Sequence, residues 1–348
     1  MEYHRLGQTD LQISRIGFGC GPASGHDYGP IDEHAWRAAV REALDRGVNF
    51  FDVANVYGFG HAEELLADAL GPQRSTAIIA TKCGLLWDEN HRVYRDLSPG
   101  AVTQSVHTSL RRLKIDTIPL LQIHWPDPHT PLRETFDALA ELHLQKKFFH
   151  LGVSNFPLPL LNEAIQFTRI ESLQLAYNLL SREPESEIFP WCAQHHVSVL
   201  AHTALARGAL SPKYATASAT SFTDTRKDSP YFADASLEVR RRLLDAMSAI
   251  SSHHARPPAT VAIRWLLDNP TGNLGGDPAG HPDDQTAGSH VVASALVGIR
   301  NRAQLNENLE SVGWKLTSPE LQTLSQISAQ SPPGLKGIPA HGSTSRTT

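Results

Sequence analysis

Short apolar segments, each followed by an amphipathic stretch, recur eight times along the chain. Most are rich in β-branched and aliphatic residues, as expected of strands that are buried on both faces of a parallel sheet. The segments span residues 16–19, 49–52, 77–81, 117–124, 149–154, 172–174, 198–202 and 293–297. Strands that alternate with helices form βα units, and eight such units predict closure into a barrel.

The amphipathic stretches predict one helix after each strand. They span residues 32–46, 61–70, 99–112, 131–146, 157–167, 184–195, 259–268 and 301–310. We therefore expect an α/β fold, a (β/α)8 TIM barrel in a single domain over residues 1–330. Before the first barrel strand, the turn residues Gly7-Gln8-Thr9-Asp10 predict a β-hairpin that closes the N-terminal mouth.

Three stretches lack a regular pattern. Residues 207–235 predict a long loop after the seventh strand, and the Gly-, Asp- and Pro-rich residues 272–290 predict an insert before the eighth. Residues 331–348 are expected to form a disordered tail. Pro119 has no amide hydrogen for a central ladder, so we expect it near the start of the fourth strand.

Composition excludes several classes of partner. The formal charge of −5, with interspersed signs, leaves no basic stripe for nucleic acid. The first residues lack a signal-peptide pattern, and no apolar run is long enough to span a membrane, so we expect a cytoplasmic protein with no membrane contact. The cysteines are widely spaced and the histidine doublets lack helical i, i+4 spacing, so no metal is expected.

Four polar side chains lie where predicted strands end. Asp52, Lys82 and His124 end or directly follow the second, third and fourth strands, and Tyr57 follows Asp52 by five residues. In barrels of this kind the carboxyl ends of the strands form the rim on which active sites are built. We therefore expect the four side chains to meet in one pocket.

The segments FFDVANVYGFGHAEELLADAL, IIATKCGL, LLQIHWPD, LGVSNF and LQLAYNLLSRE resemble the signature segments of the aldo-keto reductase superfamily, in order over about residues 1–312. The resemblance implies an oxidoreductase in which Tyr57 protonates a carbonyl oxygen, Lys82 lies beside the phenol, Asp52 pairs with Lys82, and His124 polarises the substrate oxygen. An ammonium about 4 Å from a phenolate stabilises it by roughly 4 kcal/mol at an effective dielectric near 20.

The same resemblance implies a nicotinamide cofactor, although no Gly-x-Gly-x-x-Gly fingerprint opens a helix after the first strand. Ser154, Asn155 and Gln174 match residues that bind the carboxamide, and His202 matches a position that stacks on the ring. The other implied cofactor contacts are Gly19, Leu205, Arg207, Gly298, Arg300, Gln304 and Asn308.

Arg300 is placed to pair with a ribose 2′-phosphate, which favours NADP(H) over NAD(H). Cys20, Trp87 and Trp125 are expected to line the substrate pocket. Aromatic walls suit a small carbonyl compound or a sugar. We expect a monomer or a small homo-oligomer.

Three alternatives differ in what the barrel does. A sugar dehydrogenase would use the same chemistry in the oxidative direction on an aldose. A cofactor-sensing binding module, like the potassium-channel β-subunits of the same superfamily, would use the barrel to contact a partner. A metal-dependent hydrolase would need a His-x-His at the end of the first strand, where Gly17-Phe18-Gly19 stands instead.

Overall fold

The structure, a computed structural model, describes residues 1–25, 29–269 and 291–332. Its strands are β1 (Tyr3–Arg5), β2 (Gln12–Ser14), β3 (Ile16–Gly19), β4 (Phe50–Asp52), β5 (Ile78–Cys83), β6 (Leu85–Trp87), β7 (Val93–Arg95), β8 (Ile118–Ile123), β9 (Phe148–Ser154), β10 (Ser172–Ala176), β11 (Ser198–His202) and β12 (Val292–Gly298). Its α-helices are α1 (Glu33–Asp45), α2 (His61–Leu70), α3 (Pro99–Leu113), α4 (Leu132–Leu144), α5 (Leu158–Ala164), α6 (Ile188–His195), α7 (Asp234–His254), α8 (Pro258–Asp268), α9 (Arg302–Leu309) and α10 (Ser318–Ser328).

Eight parallel strands close into a barrel, as the alternating pattern predicts. Each barrel strand pairs with the next one along the chain, from β3 through β4, β5 and β8 to β12, and β12 pairs back with β3. Their carboxyl ends therefore meet at one rim. The predicted (β/α)8 TIM barrel in a single domain is confirmed. Pro119 is the second residue of β8, where its missing amide hydrogen costs least.

The barrel interior is filled by apolar side chains from several of its strands. Phe50, Ala80, Leu120, Leu200, Ala293 and Leu296 form one buried cluster, which Leu6 and Ile13 of the N-terminal hairpin complete. Both hairpin side chains are fully buried. The predicted hairpin of β1 and β2 thus closes the N-terminal mouth of the barrel.

Hydrogen bonds tie this hairpin to distant parts of the chain. The Gly7 amide donates to Ser198 Oγ over 2.8 Å, and Arg15 Nη1 donates to the Val292 carbonyl over 2.6 Å. Gly7 has φ +54, and a Cβ there would lie 2.6 Å from the Glu171 carbonyl oxygen. The hairpin turn therefore requires glycine at this position.

The helices cover the barrel with their apolar faces. Trp36 of α1, Leu66 of α2 and Val106 of α3 belong to one large core between strands and helices. Several helices begin at a residue whose side chain accepts an amide hydrogen bond: Asp32 accepts from Ala35 and Asn301 from Gln304. These caps fix where each helix begins relative to the loop before it.

The structure contains elements that the one-helix-per-strand pattern did not predict. They are the antiparallel pair β6 and β7, the helix α7 before α8, and the helix α10 after α9. Residues 206–232 form a series of short 3-10 turns, close to the predicted loop over 207–235. The predicted insert over 272–290 and the tail from 333 lie outside the described residues. Among the described helices, none has both the length and the apolar character needed to span a membrane.

Candidate active site

The barrel rim brings the four predicted catalytic side chains together. Asp52 ends β4, Lys82 is the penultimate residue of β5, and His124 directly follows β8. Tyr57 begins a short 3-10 turn between β4 and α2. Because β4, β5 and β8 are neighbours in the barrel, the end of each strand lies beside the next.

Lys82 and Asp52 form a buried ion pair. Lys82 Nζ lies 2.9 Å from Oδ1 and 2.8 Å from Oδ2 of Asp52, and it also donates to the Val53 carbonyl over 2.9 Å. Lys82 is fully buried and Asp52 is 4% exposed. Both carboxylate oxygens and a carbonyl therefore fix the position of the ammonium group at the floor of the site.

Two glutamine amides also hold Asp52. Gln174 Nε2 donates to Asp52 Oδ1 over 2.7 Å, and Gln122 Nε2 donates to the same oxygen over 3.3 Å. Gln122 was not among the predicted site residues, although it is a polar residue in the otherwise apolar run Leu120-Leu121-Gln122-Ile123. A glutamine whose side chain points into the barrel needs a hydrogen-bond partner. Its presence in an apolar strand is therefore the sequence feature that indicates a buried polar contact.

Tyr57 lies against this pair. Lys82 Nζ is 5.3 Å from the centroid of the Tyr57 ring, and the His124 ring lies 6.0 Å from it, edge-on at 83°. The turn that carries Tyr57 has left-handed backbone at Gly58, Phe59 and Gly60. Gly60 has φ +99, a backbone conformation that side chains rarely adopt, so this turn favours glycine where it packs against the Arg112 guanidinium of α3.

The predicted carboxamide-binding residues form one hydrogen-bonded chain. Asn155 Nδ2 donates to the His124 carbonyl over 3.0 Å and to Ser154 Oγ over 2.9 Å, and Ser154 Oγ donates to the Gln174 carbonyl over 3.0 Å. The chain links the ends of β8, β9 and β10. The side-chain Nε2 of Gln174, however, is directed to Asp52, which leaves its amide oxygen for another partner.

His202 ends β11 with its ring at the mouth of the barrel. Its Nδ1 lies 2.8 Å from Thr203 Oγ1. Although the side chain keeps some solvent exposure, burial of the ring lowers the pKa of His202 to about 3, and the positive charges of Lys82 and Arg207 lower it further. The imidazole is therefore neutral at cellular pH and presents a flat, uncharged ring.

Several residues of the rim loops have left-handed backbone. Besides Phe59, the non-glycine residues Asn155, Thr203, Ala206 and Arg207 all have φ between 49° and 61°. Such conformations cost free energy, and in folded proteins they cluster at functional sites. Leu205 lies within the same loop after β11, and Arg207 Nη1 donates to the Thr225 carbonyl over 3.4 Å.

The predicted adenosine-end residues lie after β12. Gly298 ends β12 and pairs directly with Gly19 of β3. The Arg300 amide donates to Gln304 Oε1 over 2.9 Å, and the Arg300 guanidinium hydrogen-bonds the Pro30 carbonyl. Asn308 is buried within α9. Arg300 is therefore held near the first βα loop.

The three predicted substrate residues lie in different surroundings. Cys20 is fully buried, its amide donates to the Asp52 carbonyl over 2.8 Å, and burial raises the pKa of its thiol. Trp87 and Trp125 pack, together with Tyr57, on a small apolar cluster of Ala54, Val56 and Leu85. The two indoles therefore pack on the same apolar cluster as the tyrosine, whereas Cys20 is buried beside the Asp52 backbone.

A cavity of about 270 Å³ lies between the β6–β7 hairpin and α3, and Trp87 lines it. Asn55 and Ser105 also line this cavity, and in each the buried side-chain oxygen lacks a hydrogen-bond partner in the structure. The cavity borders the loop that carries Tyr57, because Asn55 lies two residues before it.

The chain is similar in sequence to known proteins. A profile of the aldo/keto reductase family matches residues 15–329. The aldo-keto reductase YhdN of Bacillus subtilis (strain 168) is 30% identical over 336 residues, which cover 94% of this chain and 93% of that protein. The NADH-specific methylglyoxal reductase of Escherichia coli (strain K12) is 31% identical over 224 residues, which cover 59% of this chain and 68% of that protein.

A solved structure also shares the fold. The glycerol dehydrogenase of Gluconobacter oxydans superposes with a TM-score of 0.81 at 31% sequence identity, covering 96% of this chain and 97% of that one. Both the sequence profile and this superposition span the barrel with its rim.

Proposed function

The chain belongs to the aldo/keto reductase family, and from this premise we propose that it interconverts small carbonyl compounds and alcohols with Tyr57 as the proton donor and acceptor. The family makes it an oxidoreductase acting on carbonyl and alcohol groups. The observation that carries the proposal is the position of Tyr57 between the buried Lys82 ammonium and the His124 ring.

The chain's own residues supply the proton chemistry. Lys82, held by Asp52 and the Val53 carbonyl, places a positive charge beside the Tyr57 ring and so stabilises the phenolate that forms when the proton leaves. His124, 5% exposed, borders the same space and orients the substrate oxygen. Because the ion pair is buried, its field is little screened by solvent.

The donor set at the rim fits a nicotinamide dinucleotide. Ser154, Asn155 and the Gln174 amide oxygen would hold the carboxamide, and the neutral His202 ring would stack on the nicotinamide. The remaining contacts would come from Gly19, Leu205, Arg207, Gly298, Arg300, Gln304 and Asn308. When bound, the cofactor supplies or accepts the hydride. We propose NADP(H), with NAD(H) as the alternative, because Arg300 offers a guanidinium to a 2′-phosphate.

The substrate is proposed to be a small carbonyl compound or its polyol. The similar proteins include a glycerol dehydrogenase and a methylglyoxal reductase, whose names both refer to three-carbon compounds. The indoles of Trp87 and Trp125 pack on the same apolar cluster as Tyr57 and would provide apolar walls for a compact substrate. Oxidation of an aldose remains the alternative, with the same residues working in the reverse direction.

A single hydroxyl deletion tests the proposal. Tyr57→Phe is expected to lower kcat for NADPH-dependent reduction of methylglyoxal by at least about 10³-fold, since the proton donor is lost in the transition state. NADPH affinity, measured by fluorescence titration, is expected to stay within about threefold. Tyr3→Phe, a deletion of the same hydroxyl in β1 of the N-terminal hairpin, is the matched control and is expected to keep its activity. Turnover retained by Tyr57→Phe overturns the proposed role.

A further inference from the structure

Two adjacent histidines and one glutamate converge on the outer surface of the barrel. His253 Nδ1 lies 3.0 Å from Glu320 Oε1, and His254 Nε2 lies 2.9 Å from the same oxygen. All three donor atoms lie within 4.8 Å of one another. Among the described residues, no other group of three histidine, cysteine or acidic side chains converges in this way.

The fold, rather than the sequence spacing, creates this cluster. His253 and His254 form the end of α7, and Glu320 lies in the first turn of α10, 66 residues beyond His254. Adjacent helical residues normally point about 100° apart. Here the carboxylate of α10 lies between the two imidazoles, so that Nδ1 of one and Nε2 of the other face one oxygen.

Neighbouring groups hold the ligand atoms in place. The Thr317 amide donates to Glu320 Oε2 over 2.8 Å as part of a capping box, which holds the carboxylate in place; His254 Nε2 lies 3.0 Å from this oxygen and 2.9 Å from Oε1. The indole of Trp314 lies 4.6 Å from the His254 ring at 40°. Metal ligands in proteins are commonly oriented by such outer contacts.

We propose that His253, His254 and Glu320 form a Zn²⁺ site that links α7 to α10. Two imidazole nitrogens and a carboxylate oxygen are a donor set that zinc prefers, at bond lengths of about 2.0–2.2 Å. Ligand atoms around a tetrahedral zinc lie about 3.3 Å apart. The two nitrogen–oxygen separations of 2.9 and 3.0 Å would lengthen slightly, and the two imidazole nitrogens, which lie within 4.8 Å of each other, would adjust to the same spacing by side-chain rotation.

The surroundings leave the site accessible to a metal ion. The His253 side chain is 69% exposed, whereas those of His254 and Glu320 are 19% and 13% exposed. One side of the cluster therefore faces solvent, from which an ion enters and a water molecule completes the coordination. The three cysteines are buried and burial raises the pKa of each thiol, so none competes as a thiolate ligand.

Calorimetric titration of the tag-free, EDTA-treated full chain with ZnCl2 tests the proposal. One Zn²⁺ per chain is expected to bind, and His253→Ala and Glu320→Gln are each expected to weaken that binding by more than about tenfold. His253→Ala changes an exposed side chain, so folding is preserved. His196→Asn, in the doublet that has no carboxylate beside it, is the matched control and is expected to leave the affinity unchanged.

Thermal unfolding provides a second measurement. Zn²⁺ is expected to raise the midpoint for the native chain and for His196→Asn, and to leave that of His253→Ala unchanged, because an ion that binds only the folded state stabilises it. Absence of saturable binding to the native chain overturns the proposal. Equal affinity in His253→Ala also overturns it, since the ion would then lie elsewhere in the chain.

Discussion

Gln122 Nε2 lies 3.3 Å from Oδ1 of Asp52 and joins the penultimate residue of β8 to the last residue of β4 in the active site. The same oxygen also accepts from Gln174 Nε2 and from Lys82 Nζ. Three strands besides β4 thus contribute a donor to one buried carboxylate. The position of the ammonium group beside Tyr57 depends on this network.

Replacing Gln122 tests the network without touching the reacting atoms. Gln122→Leu removes one donor from a buried carboxylate and is expected to lower the free energy of unfolding by about 1–2 kcal/mol. Gln122→Glu places a second carboxyl group beside Asp52 and is expected to cost more, because like charges repel in a buried site. Urea unfolding measures both. Equal stability of the native chain and both variants would contradict the network's role.

Single and double replacements in the Lys82–Asp52 ion pair are expected to have opposite effects on the stability of the fold. Lys82→Met leaves Asp52 buried without its cation and is expected to destabilise the fold by about 3–5 kcal/mol and to remove activity. Adding Asp52→Asn to Lys82→Met removes the unpaired charge, so the double variant is expected to recover stability but no activity. Urea unfolding and NADPH oxidation with methylglyoxal measure the two effects. Recovered turnover in the double variant would show that the ammonium is dispensable.

His202 is expected to make stability depend on pH in the acid range. Its pKa is about 3 in the folded chain and near 6.5 when unfolded, so the unfolded chain binds the proton first as pH falls. The stability gained by keeping His202 neutral is fully present above pH 6.5 and is lost progressively between pH 6.5 and 3. At pH 5 the loss in the free energy of unfolding amounts to about 2 kcal/mol. Comparing urea unfolding of the native chain and His202→Phe from pH 8 to pH 5 isolates it. A difference that stays constant across this range would exclude the shifted pKa.

Arg300 is expected to discriminate between the two nicotinamide cofactors. Arg300→Ala removes the guanidinium proposed to bind a 2′-phosphate, so NADPH affinity is expected to fall by about tenfold or more while NADH affinity changes little. Lys227→Ala, which also removes a positive charge but lies in the rim loop after β11, is the control for a general loss of charge. Fluorescence titrations with both cofactors provide the measurement. An equal loss of affinity for NADPH and NADH would mean that Arg300 does not recognise the 2′-phosphate.

The barrel was predictable because its pattern is local. Each strand is an apolar run bounded by polar or turn residues, and the predicted segments agree with the barrel strands to within two residues at either end, as at 198–202. The end of a strand also fixes which rim a residue joins, so Asp52, Lys82 and His124 were expected to meet. A hydrophobic pattern that repeats along the chain can be recognised without knowing which distant residues come into contact.

The features that were missed depend on long-range contacts or on weaker local signals. Nothing near Gln122 in the sequence indicates its partner 70 residues away, and the histidine doublet of α7 gives no sign of Glu320. The helix α10 did carry a signal, since Thr317-Ser318-Pro319-Glu320 is a capping box followed by apolar residues. This helix was not predicted because it follows the eighth βα unit, and eight units already account for a closed barrel.

The hairpin that closes the N-terminal mouth also has a consequence for how the chain folds during synthesis. Residues 1–15 are translated well before the residues that they bind, since the Gly7 amide donates to Ser198 and Arg15 donates to the carbonyl of Val292 in β12, 277 residues later. The cluster that buries Leu6 and Ile13 includes Ala293 and Leu296, so it is complete only after nearly all of the barrel has been translated. The hairpin can therefore take its final position only when β12, at the far end of the barrel sequence, is available to close on it.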